Sequence, residues 1–322
     1  MSVANGSKRA PLYSVVIPVY NSELMLAEVC ERIISVFEKI NLDCEIILVN
    51  DGSCDGSWAV MKKLNTGSKQ IRILKLMRNF SEHNAVIAGL NYASGDFAIV
   101  MDDDGQNPPE ELPKLINEIN KGYDVVFANY KEKKHDLFRN LGSAFNDRVA
   151  TILLKKPKQL YLCSFKIFNR VLINEIVKYL GPYPYIDGLI FRSTRNIGTV
   201  RVEHQERLRG ETGYTFGKLV SLWLNMFTNF SVLPLRISTF VGMVIAFIGF
   251  FMAVLFIIDK IMHPNAPIGW ASLVVSIFFF SGIQLIILGV IGEYLGRLFL
   301  SSNQTPQFIV QDKRGFENET TI

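Results

Sequence analysis

The run DDDGQNPPEE, from Asp102 to Glu111, concentrates the groups most able to do chemistry. Three adjacent carboxylates repel one another and are costly at a strand end without a compensating cation. Hard oxygen ligands of this kind suit Mg2+ or Mn2+ bridging to phosphate oxygens. In an extended segment, residues two apart point the same way. Asp102 and Asp104 can therefore share a ligand, and Asp103 cannot. An isolated acidic triplet reads best as a solvated turn; the strand-end setting reverses that.

The elements that must position these acids are legible as short apolar runs alternating with amphipathic stretches. Tyr13–Pro18, Cys44–Asn50, Ile71–Met77, Asp96–Asp102 and Asp124–Asn129 read as buried strands. Helical stretches separate them near Leu24–Ile40, Trp58–Leu64 and Asn84–Tyr92, with another begun by Pro108-Pro109. Continuous Val/Ile/Leu strands alternating with helices predict a mostly parallel sheet covered on both faces. Ligands of such sheets bind beyond the carboxyl ends of the strands. The polar clusters sit there: Val19-Tyr20-Asn21, Asn50-Asp51-Gly52-Ser53, Arg78-Asn79 and Asp102–Gln106.

Two later segments change the class. Ile237–Ile258 and Ile268–Gly292 carry no charged residue, and at about 1.5 Å per residue each exceeds a hydrocarbon core of roughly 30 Å. The linker Asp259–Pro267 is short, so the pair is expected to form a transmembrane hairpin with both ends on one side. Arg236, Arg297, Lys313 and Arg314 flank the spans and favour the cytoplasm for both termini. Lys8 and Arg9 precede an apolar stretch too short for a signal peptide, which points the same way. Thr215–Leu233, with Lys218 as its only charge, reads either as a helix lying in the membrane interface or as one packed on the sheet domain. The resulting division is a cytoplasmic domain over 1–214, an amphipathic helix over 215–235, the hairpin over 236–298 and a cytoplasmic tail over 299–322.

The net charge of +4 is spread among mixed signs in the first 220 positions, which excludes a duplex-binding face. Cys30, Cys44, Cys54 and Cys163 show no metal-ligand spacing and read as reduced thiols.

Across nearly its whole length the chain resembles the polyprenyl-phosphate glycosyltransferases of glycosyltransferase family 2. The likeness rests on VVIPVYN (Val15–Asn21), NDGSCDGS (Asn50–Ser57), MRNFSEHNAVIAG (Met77–Gly89), the acidic run, ERLRGETGYTF (Glu206–Phe216) and GEYLGR (Gly292–Arg297), in that order. The resemblance implies a GT-A, Rossmann-like α/β domain that transfers a sugar with inversion from a nucleotide-sugar, UDP-linked by preference, to undecaprenyl or a similar polyprenyl phosphate. Pro18, Tyr20 and Asp51, with Arg78 nearby and Asp102 and Asp103 beside them, would bind the nucleotide. Asp102, Asp104 and Gln106 would hold Mg2+ or Mn2+ on the donor diphosphate. Arg207 would meet phosphate and Arg139 the lipid phosphate, with Arg148 a weaker candidate. Relatives assemble through their membrane helices, implying a homo-oligomer, with a tetramer as one form.

Three positions depart from the family pattern. Leu160 stands where relatives commonly carry an Asp four residues before the triplet Ser164-Phe165-Lys166. Gly213 replaces a common Lys, for which Arg209 is a substitute, and Asn50 replaces the first Asp of D-D-G-S. A processive polysaccharide synthase is disfavoured because no Trp follows an Arg as in Q-x-x-R-W. A scaffold without turnover would have only Leu160 and Gly213 in its support.

Overall fold

The computed structural model describes residues 10–130, 157, 160, 162–203, 233–262 and 269–316. Arg139, Arg148, Arg207, Arg209 and Gly213, and most of the helix expected over 215–235, lie outside these residues. The chain divides into two compact units, Met1–Tyr214 with Thr305–Ile322, and Thr215–Gln304.

The first unit is built on an eight-stranded sheet. Its elements are β1 (Leu12–Val19), α1 (Leu26–Ile40), β2 (Asp43–Asn50), α2 (Ser57–Gly67), β3 (Ile71–Leu76), α3 (Glu82–Tyr92), β4 (Phe97–Val100), α4 (Leu112–Ile119) and β5 (Val125–Tyr130). There follow β6 (Lys166–Asn169), α5 (Arg170–Ile176), α6 (Ile186–Ser193), β7 (Ile197–Val202) and, near the C-terminus, β8 (Val310–Arg314). Strand order is β7-β5-β6-β4-β1-β2-β3-β8. The five strands read from the sequence are all present. β1 pairs in parallel with both β2 and β4, and β2 with β3.

Two features depart from the expected sheet. β6 enters antiparallel between β4 and β5, so those two strands are not neighbours. β8 pairs antiparallel with β3, so the segment expected as a separate tail over 299–322 contributes an edge strand to this sheet. VQDKR offers no apolar alternation because an edge strand with charged side chains is half solvated.

Local sequence explains how the helices seat. α1 buries Leu26, Val29, Cys30, Ile33, Val36 and Phe37, one face at helical spacing, and ends at Asn41 in the left-handed region (φ 53°). α3 lies close over the sheet because residue 89 lacks a side chain. A Cβ at Gly89 would stand 2.4 Å from Val16 Cγ1 and 3.1 Å from Val49 Cγ2, both in buried strands. Gly89→Leu is therefore expected to overpack this interface and cost about 1–3 kcal/mol, read as a lower unfolding midpoint. An unchanged midpoint would mean that α3 can lift away freely.

The second unit contains α7 (Leu233–Met262) and α8 (Trp270–Ser302). Both are long and apolar enough to cross a membrane, with windows at Leu235–Met252 and Phe279–Leu300. They meet where Ile287 Cδ1 comes within 3.8 Å of the Cβ position of Gly242. The second apolar window lies further along the chain than the expected Ile268–Gly292. Its charges at Glu293 and Arg297 pair with each other at 2.7 Å, which lets the helix continue through them. Leu233–Leu235, the described end of the expected amphipathic helix, already belong to α7.

Candidate active site at the strand ends

Four connections at the carboxyl end of the sheet are tied together by hydrogen bonds. After β1, Asn21 N donates to Ser53 Oγ at 3.1 Å and Ser22 N to Ser57 Oγ at 2.9 Å. Cys54 N returns a bond to Asn21 Oδ1 at 2.9 Å. After β2, Asp51 is buried and accepts from Phe80 N at 2.7 Å, which fixes the connection after β3. Gly52 permits that approach: at φ 71°, a Cβ there would be 2.5 Å from Asn79 N. Pro18 is buried in β1 opposite Val49, Tyr20 is half exposed beyond it, and the Arg78 guanidinium lies 4.7 Å from the Phe80 ring centroid. Pro18, Tyr20, Asp51 and Arg78, named from the sequence, are thus brought to one loop cluster at the carboxyl end of the sheet.

The acidic triplet follows β4, enters a bend at Asp103, and its members meet different partners. Asp103 turns toward the β1–α1 connection, where Tyr20 N (3.2 Å) and Ser22 Oγ (2.5 Å) donate to its Oδ2. Asp102 turns the other way. Its Oδ2 accepts from Asn107 Nδ2 at 3.0 Å and from Ser164 Oγ, and among the described residues no donor reaches its Oδ1. Asp104 accepts from Gln106 N at 3.0 Å. Asp103 is therefore more than a bystander: it holds the loop that carries Tyr20.

The electrostatics show what the site lacks. Burial, and secondly the neighbouring Glu82, push Asp102 up to about 7, against the opposing bonds from Ser164 and Asn107. Burial likewise raises Asp103 to about 6. Asp51 is raised by burial against its backbone hydrogen bonds. Such crowding is relieved by a cation. Among the described residues no group of three or more His, Cys, Asp or Glu is arranged to hold a metal by itself. Asp102, whose Oδ1 no described donor reaches, and Asp104 are nonetheless hard oxygen ligands of the kind that Mg2+ or Mn2+ takes.

The structure adds residues that the sequence reading left without a role. Ser164 stands opposite Asp102 in the continuation of the β4–β6 pairing, and Lys166 lies two residues on, on the same face. Lys166 forms a buried ion pair with Asp187 at the start of α6. His83 packs edge-on against Tyr185 at 5.2 Å, and burial lowers it to about 4. Leu160 is buried, so an apolar side chain fills the place of the common Asp. The strings SEHN and SFK were the only signals for Glu82, His83, Ser164 and Lys166. Asp187 had none, since it sits in an otherwise apolar helix turn.

Comparison with known proteins agrees with this arrangement. The family model "Glycosyl transferase family 2" matches residues 14–177. The chain is 33% identical over 312 residues to the uncharacterized glycosyltransferase YkcC of Bacillus subtilis (strain 168), covering 95% of each chain. It is 34% identical over 301 residues to undecaprenyl-phosphate 4-deoxy-4-formamido-L-arabinose transferase of Proteus mirabilis (strain HI4320), covering 92% of each. The fold matches glucosyl-3-phosphoglycerate synthase of Mycobacterium tuberculosis, solved with Mn2+, UDP and phosphoglyceric acid, at a TM-score of 0.50 and 18% identity, over 67% of this chain and 75% of that one. With the sheet, the acidic run and full-length relatives in agreement, the chain belongs to glycosyl transferase family 2.

Proposed function

We propose that the chain transfers a sugar from a nucleotide donor, UDP-linked, to the phosphate of undecaprenyl or a similar polyprenyl phosphate, with inversion at the anomeric carbon. The observation that carries this reading is the similarity of 92% of the chain to an enzyme named for that acceptor. In the reaction an acceptor phosphate oxygen forms the new bond to the anomeric carbon, and the bond to the nucleoside diphosphate breaks. A Mg2+ or Mn2+ ion held by Asp102, Asp104 and Gln106 would neutralise the departing diphosphate.

The remaining work falls to the chain's own groups. Pro18, Tyr20, Asp51 and Arg78 line the nucleotide, and Asp103 keeps Tyr20 in place. Arg207 and Arg139 pair with phosphate, for which a guanidinium is geometrically suited. No general base is required: a phosphate monoester with a second pKa of roughly 6 is already largely ionised near neutral pH. Leu160 is then no defect.

The two apolar helices anchor the enzyme as a hairpin, with the catalytic unit and both termini cytoplasmic and 215–235 at the membrane surface. In support, β3 and β8 precede and follow the two helices yet lie in one sheet, as a hairpin with both ends on one face requires. The enzyme works as a homo-oligomer, of which a tetramer is one form.

The test is transfer of label from a panel of radiolabelled UDP-sugars to undecaprenyl phosphate by the full chain in detergent with Mn2+. Label is expected in the lipid phase with at least one donor. Tight UDP binding without glycolipid from any donor would overturn the proposal.

A further inference from the structure

A carboxylate serves a metal best when its orientation is fixed and one oxygen is kept open. Asp102 meets both conditions. Its Oδ2 accepts from Asn107 Nδ2 at 3.0 Å and from Ser164 Oγ, while among the described residues no donor reaches Oδ1. Two donors converging on one oxygen fix the rotation of the carboxylate and leave the other oxygen uncommitted.

The bond from Asn107 depends on which way its amide faces. A carboxamide carries donors on one side and an acceptor on the other. Turned over, Asn107 would set its carbonyl oxygen against the Asp102 carboxylate. Asn107 is only 1% exposed, so its polar atoms depend on partners in the protein. Its Oδ1 accepts from the Tyr130 hydroxyl at 2.5 Å. The phenol supplies a proton where the amide has a lone pair, which leaves the amide N–H groups for Asp102. Each link then has a set direction: Tyr130 donates to Asn107, and Asn107 donates to Asp102.

The members of this chain come from separate parts of the sheet. Tyr130 is the last residue of β5, Asn107 follows the acidic run after β4, and Ser164 precedes β6. Because β6 lies between β4 and β5, the bonds gather the ends of three adjacent strands around one carboxylate. We infer that Tyr130 and Asn107 are positioning residues that act through Asp102, holding its Oδ1 open for the donor-bound divalent cation. The inference rests on the donor and metal reading proposed above.

The experiment uses the full chain in detergent and reads Mn2+ directly, as loss of the free-ion EPR signal during titration with UDP present. Tyr130→Phe keeps the ring and removes only the hydroxyl, whereas Asn107→Leu keeps the approximate shape and removes both links. Mn2+ affinity is expected to fall about tenfold in Tyr130→Phe and up to about a hundredfold in Asn107→Leu, the range for removing a partner of a metal ligand. Asp102 itself stays intact, so saturating Mn2+ should restore kcat and the loss should appear in the KM for Mn2+. Binding of UDP without metal should be unchanged in Tyr130→Phe. Adding Tyr130→Phe to Asn107→Leu should weaken Mn2+ no further, since the hydroxyl acts through the amide. Unchanged Mn2+ affinity in Tyr130→Phe, or single losses that multiply in the double variant, would overturn the inference. So would a fall in metal-free UDP binding as large as the fall in Mn2+ affinity, which would make these bonds a general brace of the loop. If Asn107→Leu does not fold, Tyr130→Phe decides by the same readings. A wild-type chain that binds Mn2+ and UDP together yet transfers no sugar would count against the transferase reading, and the Mn2+ affinities of the variants would still decide this one.

Discussion

Asp104→Asn should lower sugar transfer by on the order of a thousandfold and remove its dependence on Mn2+, whereas Asp103→Asn should retain both within about tenfold. The scale follows from the several kcal/mol of charge stabilisation that a metal contributes at a departing diphosphate, each 1.36 kcal/mol being tenfold in rate. The contrast follows from orientation. Asp102 faces Asn107 and Ser164, and Asp103 faces Tyr20 N and Ser22 Oγ. An Asn at 103 still offers one oxygen to those two donors, so the loop carrying Tyr20 loosens without coming free. Asp103→Ala removes both contacts and should raise the donor KM more than it lowers kcat. Initial rates across an Mn2+ titration decide the matter. Equal losses from the two Asn variants would show that the alternation along 102–104 does not divide metal from loop.

The opposed facing of Asp102 and Asp103 was readable because it is a local property: side chains in extended backbone reverse direction at each residue. The same is true of β1, whose YSVVIPV run is buried on both faces, and of the proline pair that opens the helix after the acidic run. What local pattern does not encode is who pairs with whom. β6 is four residues long, and nothing in KIFN says that it will separate β4 from β5. β7 alternates, with Gly198 and Val202 buried and Thr199 and Arg201 exposed, but a glycine at one buried position weakens the apolar signal. β8 is polar because it is an edge. Each of these strands is specified by the sheet it joins.

The site divides along the same line. Asp51, Asp102 and Asp104 sit at the ends of strands that the apolar runs announce. Asp187 reaches Lys166 only because α6 is set against the sheet, where Phe191 also stacks on Phe127 of β5, a tertiary event with no local signature. Glu82 and His83 fell within a recognised string, yet the edge-on packing of His83 on Tyr185 has no local signature. The helices of the second unit make the complementary point. Charge marked the apolar spans well but not the helix ends, because a Glu293–Arg297 pair one turn apart is compatible with helix and awkward for hydrocarbon.

Lys166→Met should destabilise the first unit by about 3–5 kcal/mol, and Asp187→Leu by a similar amount, because each leaves its partner's charge buried and unpaired. The two side chains are only 4% and 9% exposed, so water cannot take the lost partner's place. The double variant Lys166→Met/Asp187→Leu should recover most of the loss, since a buried pair replaced by apolar side chains of like size is often neutral. Met also keeps an apolar contact on the Phe127 ring, over which the Lys166 ammonium lies at 5.2 Å. Denaturant unfolding of the four proteins, followed as a double-mutant cycle, measures the coupling directly. Additive losses, or single losses below about 1 kcal/mol, would sink the account. Transfer assayed on the refolded double variant then separates two roles of the pair. Ser164 and Lys166 share one face of the β6 strand line, so a pair that only pins α6 to β6 should leave Asp102 correctly held once packing is restored. A pair whose charge also balances Glu82 and Asp102 should leave the double variant stable yet weakened in Mn2+ binding, and the crowding of acids at this site favours the second result.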